Sequence, residues 1–308
     1  MQLDLLIIGG GPAGLTAGIY GIRSELKTLI IEGGVPGGKI SEAALVENYS
    51  GFPDGILGLK LAQRFTDQAM NAGVPLNSFE HVLNIEQTEK GFVVSTDKSE
   101  YQPTTVVIAT GMRDKKLNVP GEKEYVGKGV CYCFTCDGPL FKGKKVAVIG
   151  SGTGAAKAVL YLKDIASEVT MIMKRKDVIT AEKIMKTRLS NSGAKILNGM
   201  QTLKIAGSDF LEKVTLQNLI SREKIDVMVD GVFIEIGKSP NTRFLKDSKI
   251  KLDGKGFIQV DGNQETCIKG IFAAGDVVSG NIKQLNIAAA EGAKAALKAY
   301  DYIKVLNP

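Results

Sequence analysis

Two short apolar runs in the chain lead directly into glycine-rich turns, and each turn is followed by a stretch of small residues of helical length. Leu3 to Ile8 precedes a stretch from Ala13 to Tyr20, and Lys145 to Ile149 precedes a stretch from Ala156 to Leu162. Continuous apolar runs bounded by turns are typical of strands buried inside a parallel sheet. The pattern therefore predicts two strand–turn–helix units, far apart in the chain, and an α/β fold.

The first turn has the spacing of a dinucleotide-binding fingerprint, with glycines at Gly9, Gly11 and Gly14. The first glycine permits the turn, the second lets the backbone approach a pyrophosphate, and the third lets the helix pack closely on the strand. A second apolar run, Thr28 to Ile31, ends at Glu32, where a carboxylate can accept hydrogen bonds from ribose hydroxyls. The alternative is a glycine-rich turn with a chance glutamate.

The second turn has a similar form, with Gly150, Gly152 and Ala155 at the same spacing. The strand predicted from Val169 to Met173 ends in a basic cluster, Lys174-Arg175-Lys176, instead of an acid. Arg175 and Lys176 can pair with the 2′-phosphate that distinguishes NADP from NAD. The alternative interpretation of this cluster is a solvated basic turn. The two fingerprints together predict two Rossmann-like domains.

Two cysteines at redox spacing lie between the fingerprints, in the run from Cys133 to Cys136. Such a pair can close a small, reducible disulfide, and its thiolates are the reactive species in disulfide exchange. A zinc site would need two more ligands, and the chain offers only Cys131, Cys267 and the lone His81. The sequence therefore predicts a redox dithiol and no metal.

Composition limits the class of protein. The chain has 308 residues, 44% of them hydrophobic, enough for about two globular domains. It has no apolar run long enough to span a membrane and no secretory leader, and its four cysteines fit a reducing compartment. We therefore expect a cytoplasmic protein that acts on neither a membrane nor a nucleic acid.

The order of the motifs predicts an interrupted domain. The first fingerprint precedes the second nucleotide unit, whereas Gly275-Asp276 and a helical stretch from Ile287 to Tyr302 follow it. We expect a discontinuous domain of residues 1–114 and 244–308, with residues 115–243 inserted and carrying the cysteines. Arg113 to Pro120 and Pro240 to Phe244 are the predicted hinges, because they are polar and contain proline.

The chain resembles a known family, the low-molecular-weight thioredoxin reductases, over essentially its whole length. The resemblance rests on motifs in matching order: Gly9-Gly10-Gly11-Pro12-Ala13-Gly14, Gly37-Gly38, Glu47-Asn48-Tyr49, Gly51-Phe52-Pro53, Ala109-Thr110-Gly111, Tyr132-Cys133-Phe134-Thr135-Cys136-Asp137-Gly138, Gly237-Lys238-Ser239-Pro240-Asn241-Thr242 and Ala273-Ala274-Gly275-Asp276. It implies FAD on the first fingerprint, a redox disulfide on the inserted domain, thioredoxin as the reduced partner and a homodimer. The residues expected to bind FAD are Gly9, Gly11, Pro12, Ala13, Gly14, Glu32, Gly38, Asn48, Ala109, Thr110, Gly111, Gly275, Asp276 and Gln284. Among them, Asp276 would hydrogen-bond the ribityl chain and Gln284 would lie near the isoalloxazine ring.

The resemblance also assigns roles to the dithiol. Cys136 is expected to face the flavin, and Cys133 to attack the disulfide of thioredoxin. Asp137 could deliver a proton to the leaving thiolate, or it could simply cap a helix. Because one disulfide cannot meet the flavin and a protein partner at once, a domain rotation is expected. Cys131, like Cys267 and His81, is expected to be structural.

The electron donor is the point at which the chain departs from the family. NADPH-using members carry paired acids where this chain has Lys157 and Ala158, a histidine where it has Lys174, and a further arginine where it has Thr180. NADPH, held by Gly150, Gly152, Arg175 and Lys176, is the first expectation. Reduced ferredoxin is the alternative, since the net charge of +6 suits an acidic partner. A third hypothesis is a dinucleotide-binding regulatory module without redox activity.

Overall fold

A computed structural model describes residues 2–43, 45–89, 91–176, 183–280 and 282–306, without the side chains of residues 183 and 184. The chain divides into two compact units. The first contains the residues up to Arg113 and those from Ser239 onward, and the second is the insertion from Asp114 to Lys238. The predicted fold class, two Rossmann-like units with the second inserted in the first, is confirmed.

The elements are numbered in chain order. The strands are β1 (Gln2–Ile8), β2 (Thr28–Ile31), β3 (Leu76–Asn77), β4 (Val82–Thr88), β5 (Gly91–Thr96), β6 (Glu100–Ile108), β7 (Met112–Asp114), β8 (Val130–Cys131), β9 (Lys145–Ile149), β10 (Glu168–Ile172), β11 (Lys195–Leu197), β12 (Met200–Gly207), β13 (Leu211–Asn218), β14 (Lys224–Met228), β15 (Gly231–Ile234), β16 (Lys238–Pro240) and β17 (Ile271–Ala273). The helices are α1 (Pro12–Arg23), α2 (Gly58–Asn71), α3 (Phe134–Asp137), α4 (Thr153–Leu162), α5 (Lys183–Ser190) and α6 (Leu285–Leu306), with 3-10 turns at Gly38–Glu42, Gly138–Phe141, Arg243–Leu245 and Gly275–Val277.

The first unit is built on a sheet in the order β3-β2-β1-β6-β5-β4, with β17 also paired to β6. β1 lies between β2 and β6 and is parallel to both, so both of its edges are hydrogen-bonded. Leu5 and Ile7 point into an apolar cluster that includes side chains of α1 and α6, and Leu6 and Ile8 point into a second cluster on the opposite face. This alternation explains why the β1 sequence is continuously apolar from Leu5 to Ile8.

The second unit repeats this construction with a five-stranded parallel sheet in the order β11-β10-β9-β15-β8. Val146 and Val148 of β9 pack in a cluster with α4, whereas Ala147 and Ile149 pack in a cluster that includes strands β12 and β13. β12, β13 and β14 form a separate antiparallel sheet. The turn between β9 and α4 is therefore positioned by a rigid sheet, as is the turn between β1 and α1.

The second crossing between the units lies at Lys238/Ser239, earlier in the chain than the predicted boundary between 243 and 244, and the first lies at Arg113/Asp114. Hydrogen bonds place the intervening residues in the first unit: the Asn241 backbone N–H donates to the Gly111 carbonyl at 3.0 Å, and the Thr242 hydroxyl donates to the Gly256 carbonyl at 2.9 Å. A sequence pattern does not reveal such long-range bonds. In the part of the chain that the structure describes, no helix is both long enough and apolar enough to cross a membrane.

Candidate active site

A cavity of about 650 Å³ lies in the first unit, where β1, β2 and β6 end at the same edge of the sheet. Ligand pockets typically have volumes of roughly 300–1,000 Å³, and in open α/β sheets they lie beyond the carboxyl ends of the strands. The position and size of the cavity therefore fit a nucleotide cofactor.

Glycines allow the backbone to approach this cavity. Gly9 has φ = 111°, a left-handed conformation, and a Cβ there would overlap the carbonyl oxygen of Ala109. Gly11 lines the cavity, and a Cβ there would have Gly38 Cα at 3.8 Å as its nearest neighbour. Gly9 thus makes the turn possible, whereas Gly11 leaves open space for a ligand at the N-terminus of α1. Pro12 occupies the first position of that helix, where a missing N–H costs nothing.

Glu32 follows β2 and is held in place by two backbone N–H groups. Its Oε2 accepts from Gly10 at 2.6 Å and its Oε1 accepts from Gly34 at 2.8 Å. Each carboxylate oxygen can accept more than one hydrogen bond. The side chain also lines the cavity, so ribose hydroxyls could donate to it.

Most residues expected to bind the cofactor line this one cavity. They are Gly11, Pro12, Ala13, Glu32, Gly38, Asn48, Ala109, Thr110, Gly111, Gly275, Asp276 and Gln284. Gly9 and Gly14 lie behind it: a Cβ on Gly14 would overlap the Gly9 carbonyl, so this glycine lets α1 pack against the turn. The Asn48 side-chain amide donates to Gln284 Oε1 at 3.3 Å, although the two residues are 236 positions apart in the sequence. These residues fit FAD, because the cavity offers an open helix N-terminus, an acid for ribose and polar side chains at its other end.

Sequence reasoning missed two charged residues at this site. Lys283 lines the cavity, with Nζ 4.8 Å from the centroid of the Phe257 ring. Glu291 on α6 accepts from the Gly275 backbone N–H at 2.7 Å. Burial raises the pKa of the Glu291 carboxyl, although the Gly275 hydrogen bond and Lys283 oppose the shift. The adjacency of Lys283 to Gln284 was the only signal in the sequence for either residue.

A second cavity of about 870 Å³ lies in the second unit at the turn between β9 and α4. Gly150, Gly152, Lys174 and Arg175 line it, and Lys176 is not among its lining residues. Thr180 lies outside the described residues. Glu235, which sequence reasoning did not consider, also lines this cavity.

The dithiol is oxidised, with Cys133 and Cys136 joined in a disulfide whose Cα atoms are 5.3 Å apart. Cys133 is the N-cap residue of α3, and its sulfur accepts from the Cys136 backbone N–H at 3.1 Å. The Thr135 hydroxyl lies 3.4 Å from the same sulfur. After reduction, these groups can stabilise a thiolate on Cys133, the form that attacks disulfides. Among the described residues, no three His, Cys, Asp or Glu side chains are grouped so that they could hold a metal ion.

Asp137 and Cys131 lie next to this disulfide. Asp137 ends α3 and makes no side-chain capping bond to the 3-10 turn that follows, so the capping interpretation gains no support. Cys131 is buried and lies outside any disulfide. Burial, followed by the charge of Asp137 and a hydrogen bond to it, raises the pKa of the Cys131 thiol to about 12. Cys131 is therefore protonated near neutral pH and is not a nucleophile.

The segment leading to Cys133 is anchored by a buried acid. Glu122 is 3% exposed, and it accepts from the backbone N–H groups of Leu117 at 2.9 Å and Asn118 at 2.5 Å. It also accepts from the Tyr132 hydroxyl at 2.7 Å. Burial, then the bond to Glu122, raises the pKa of Tyr132. Tyr132 thereby fixes the backbone next to Cys133.

Together, a flavin-sized cavity on one dinucleotide-binding unit and a redox disulfide on another define the class of the flavin-dependent disulfide oxidoreductases. The chain belongs to the pyridine nucleotide-disulphide oxidoreductase family, which it matches over residues 3–292. As a member of this class, the protein uses FAD.

Individual relatives resemble the chain along its full length. It is 39% identical over 303 residues to a 34.2 kDa protein in the rubredoxin operon of Clostridium pasteurianum, covering 98% of this chain and 97% of the relative. The crystal structure of T. acidophilum thioredoxin reductase is 39% identical with a TM-score of 0.87, covering 97% of this chain and 98% of that one. A ferredoxin-flavin thioredoxin reductase from Clostridium acetobutylicum is 30% identical with a TM-score of 0.55, covering 99% of both chains. The resemblance to low-molecular-weight thioredoxin reductases is confirmed.

Proposed function

We propose that this protein reduces the disulfide of thioredoxin, or of a thioredoxin-like protein, by exchange with the Cys133–Cys136 dithiol. The observation that carries the proposal is the disulfide itself, with its Cys133 sulfur at the N-terminus of α3 and a backbone N–H donating to it. The relative from T. acidophilum, similar along its whole length, is a thioredoxin reductase.

The exchange follows from the chemistry of thiols. FAD, when bound, supplies a two-electron carrier. In the reduced dithiol, the Cys133 thiolate attacks one sulfur of the partner's disulfide, forming a mixed disulfide and releasing a partner thiolate. Cys136 then attacks Cys133, which re-forms the Cys133–Cys136 bond and releases the second partner thiolate. The partner gains two electrons and two protons, and the dithiol loses them. We assign delivery of one of these protons to Asp137.

The first cavity is the proposed FAD site. Gly11 and Pro12 would meet the pyrophosphate at the N-terminus of α1, and Glu32 would accept from the adenosine ribose. Asp276 would bind the ribityl chain, and Gln284 would lie near the isoalloxazine ring. The remaining lining residues named above shape the cavity.

NADPH is the proposed electron donor, with Arg175 pairing with its 2′-phosphate at the second cavity. Lys174 is a stronger candidate than Lys176 for the second basic group, because Lys174 lines the cavity. Reduced ferredoxin is a second candidate, favoured by the acid Glu235 in that cavity and by the net charge of +6. The relative from C. acetobutylicum is a ferredoxin-flavin thioredoxin reductase.

Anaerobic mixing distinguishes the donors. If NADPH is the donor, it bleaches the flavin absorbance, and replacing Lys174 and Arg175 with alanine weakens the binding of NADPH far more than that of NADH, because only NADPH carries the 2′-phosphate. If ferredoxin is the donor, NADPH leaves the flavin oxidised, and reduced ferredoxin bleaches it at a rate that falls with ionic strength.

We also propose that the enzyme works in the cytoplasm as a homodimer. The four cysteines, two of them in the exchange motif, fit a reducing compartment. Light scattering on the purified holoenzyme tests the dimer: a mass twice that of the chain is expected, and a monomer mass would contradict it.

A further inference from the structure

The second cavity contains an acid next to its glycine-rich turn. β9 and β15 are parallel neighbours with Ile149 paired to Ile234, so the residues that follow them lie side by side at the same edge of the sheet. These residues are Gly150 and Glu235. The Glu235 backbone N–H donates to the Ile149 carbonyl at 2.8 Å, which fixes its backbone there.

The carboxylate of Glu235 reaches the first turn of α4. Its Oε2 lies 2.9 Å from the position that a Cβ on Gly154 would occupy, and Gly154 is the second residue of this helix. The N-terminus of a helix favours an anion, because free N–H groups and the positive end of the helix dipole face it. In dinucleotide-binding folds this is the place of the pyrophosphate.

The first unit provides an internal comparison. There β1 pairs with β6, Ile8 opposite Ile108, so Ala109 occupies the position that Glu235 occupies in the second unit. The backbones match closely: a Cβ on Gly9 would overlap the Ala109 carbonyl, and a Cβ on Gly150 would overlap the Glu235 carbonyl. At equivalent places, one dinucleotide fold therefore has a methyl group and the other has a carboxylate.

We propose that Glu235 is a specificity-determining residue that opposes the binding of pyridine dinucleotides in the second cavity. Its carboxylate repels the pyrophosphate at the turn, while Lys174 and Arg175 attract a phosphate at another part of the same cavity. The inference rests on the proposed assignment of this cavity to NADPH, whose affinity Glu235 lowers without abolishing its binding. It means that the sequence retains the fold of a dinucleotide site but restricts its use.

Binding to the oxidised holoenzyme tests this without any redox reaction. Isothermal titration with NADP⁺ and with NAD⁺ would compare wild type, Glu235→Gln, Glu235→Ala and a matched control, Glu124→Gln. Glu124 is an exposed acid of the same unit that does not line the cavity. Removing the charge at Glu235 is expected to raise the affinity for NADP⁺ and for NAD⁺ by about tenfold or more. The factor should be the same for both, because both carry the same pyrophosphate. Arg175→Ala, in contrast, should lower the affinity for NADP⁺ and leave the affinity for NAD⁺ unchanged.

Three results would overturn the inference: unchanged affinities in both Glu235 variants, an equal gain in Glu124→Gln, or a gain for only one of the two dinucleotides. Flavin content and the thermal midpoint report whether each variant is folded, and Glu235→Gln, being nearly isosteric, serves if Glu235→Ala is unstable. Thioredoxin reduction by dithionite-reduced enzyme is measured separately. Failure of that reaction would contradict the proposed function, whereas unchanged dinucleotide affinities would contradict only the role of Glu235.

Discussion

Cys131 and Cys133 lie only two positions apart in the sequence, but burial gives their sulfur atoms different chemistry. Cys133 is part of the disulfide and receives a backbone N–H, whereas Cys131 is 7% exposed and pairs in the sheet opposite Phe233. The environment that makes one sulfur suitable for exchange is thus absent at the other.

Cys131 gives a prediction about alkaline pH. The pKa of its thiol is raised from 9.0 in the unfolded chain to about 12 in the folded protein. Between these values the unfolded chain loses the proton and the folded protein keeps it. The stability that the buried thiol contributes is therefore complete below pH 9 and is lost as the pH rises toward 12. The free energy of unfolding of wild type should therefore fall relative to that of Cys131→Ala over this range, by up to about 1.4 kcal/mol per pH unit. The thermal midpoint of wild type should fall with it. Parallel midpoint–pH curves for the two proteins would show that this thiol is not responsible.

The sequence predicted the reactive residues better than the residues that support them. Cys133, Cys136 and Glu32 stand in motifs whose spacing follows from local geometry. Glu122 and Glu235 do not, because their roles depend on strands and loops that meet only in the folded chain. Glu235, like Glu32, follows an apolar strand, but no fingerprint spacing connects Glu235 with the turn that it faces.

At the scale of elements, strands buried on both faces were predicted more closely than helices. β2 and β9 have the predicted bounds, because β2 lies between Lys27 and Glu32 and β9 lies between Lys144 and the turn residue Gly150. α1 extends from Pro12 to Arg23 and α4 begins at Thr153, so both helices include polar or turn-forming residues beyond the predicted stretches. Helix ends depend on caps and on packing as well as on the apolar pattern.

Gly11→Val tests the turn before α1. A Cβ at this position would meet nothing closer than Gly38 Cα at 3.8 Å, and the Gly11 backbone is extended at φ = −83°, so the backbone accepts a side chain there. The variant should fold but purify without flavin, as measured by the absorbance ratio. The matched control is Gly262→Val, at an exposed turn of the same unit with no atom within 4 Å of its Cβ position. Full flavin content in Gly11→Val would refute the site.

Glu122 tests how the element before the disulfide is held. Glu122→Ala leaves two backbone N–H groups and the Tyr132 hydroxyl without their acceptor, which should cost about 3 kcal/mol or more. Tyr132→Phe removes one of the three bonds and should cost about 1 kcal/mol. Denaturant unfolding measures both. Equal losses in the two variants would mean that the carboxylate does not join these segments.

At the scale of the whole molecule, the chain contains the same dinucleotide-binding construction twice, once interrupted and once as the insertion. The order of the motifs was enough to predict that the first unit is interrupted by the second. Gly11, near the start of the chain, and Gly275 and Asp276, near its end, line the same cavity. The rotation of one unit against the other stays a prediction. It follows from the need of one disulfide to meet both the flavin and the partner.

Transfer of electrons from the flavin to thioredoxin can be measured without any electron donor. Enzyme whose flavin has been reduced anaerobically by dithionite, freed of excess reductant, is mixed with oxidised thioredoxin while flavin absorbance and free thiols are recorded. If the proposed dithiol exchange operates, thioredoxin gains up to about four thiols per FAD, two from the enzyme dithiol and two as the flavin re-oxidises. Cys133→Ser and Cys136→Ser, with flavin still bound, should stop flavin re-oxidation, whereas Cys131→Ser should not. Re-oxidation at the wild-type rate in Cys133→Ser, or flavin that stays reduced in the wild type, would contradict it.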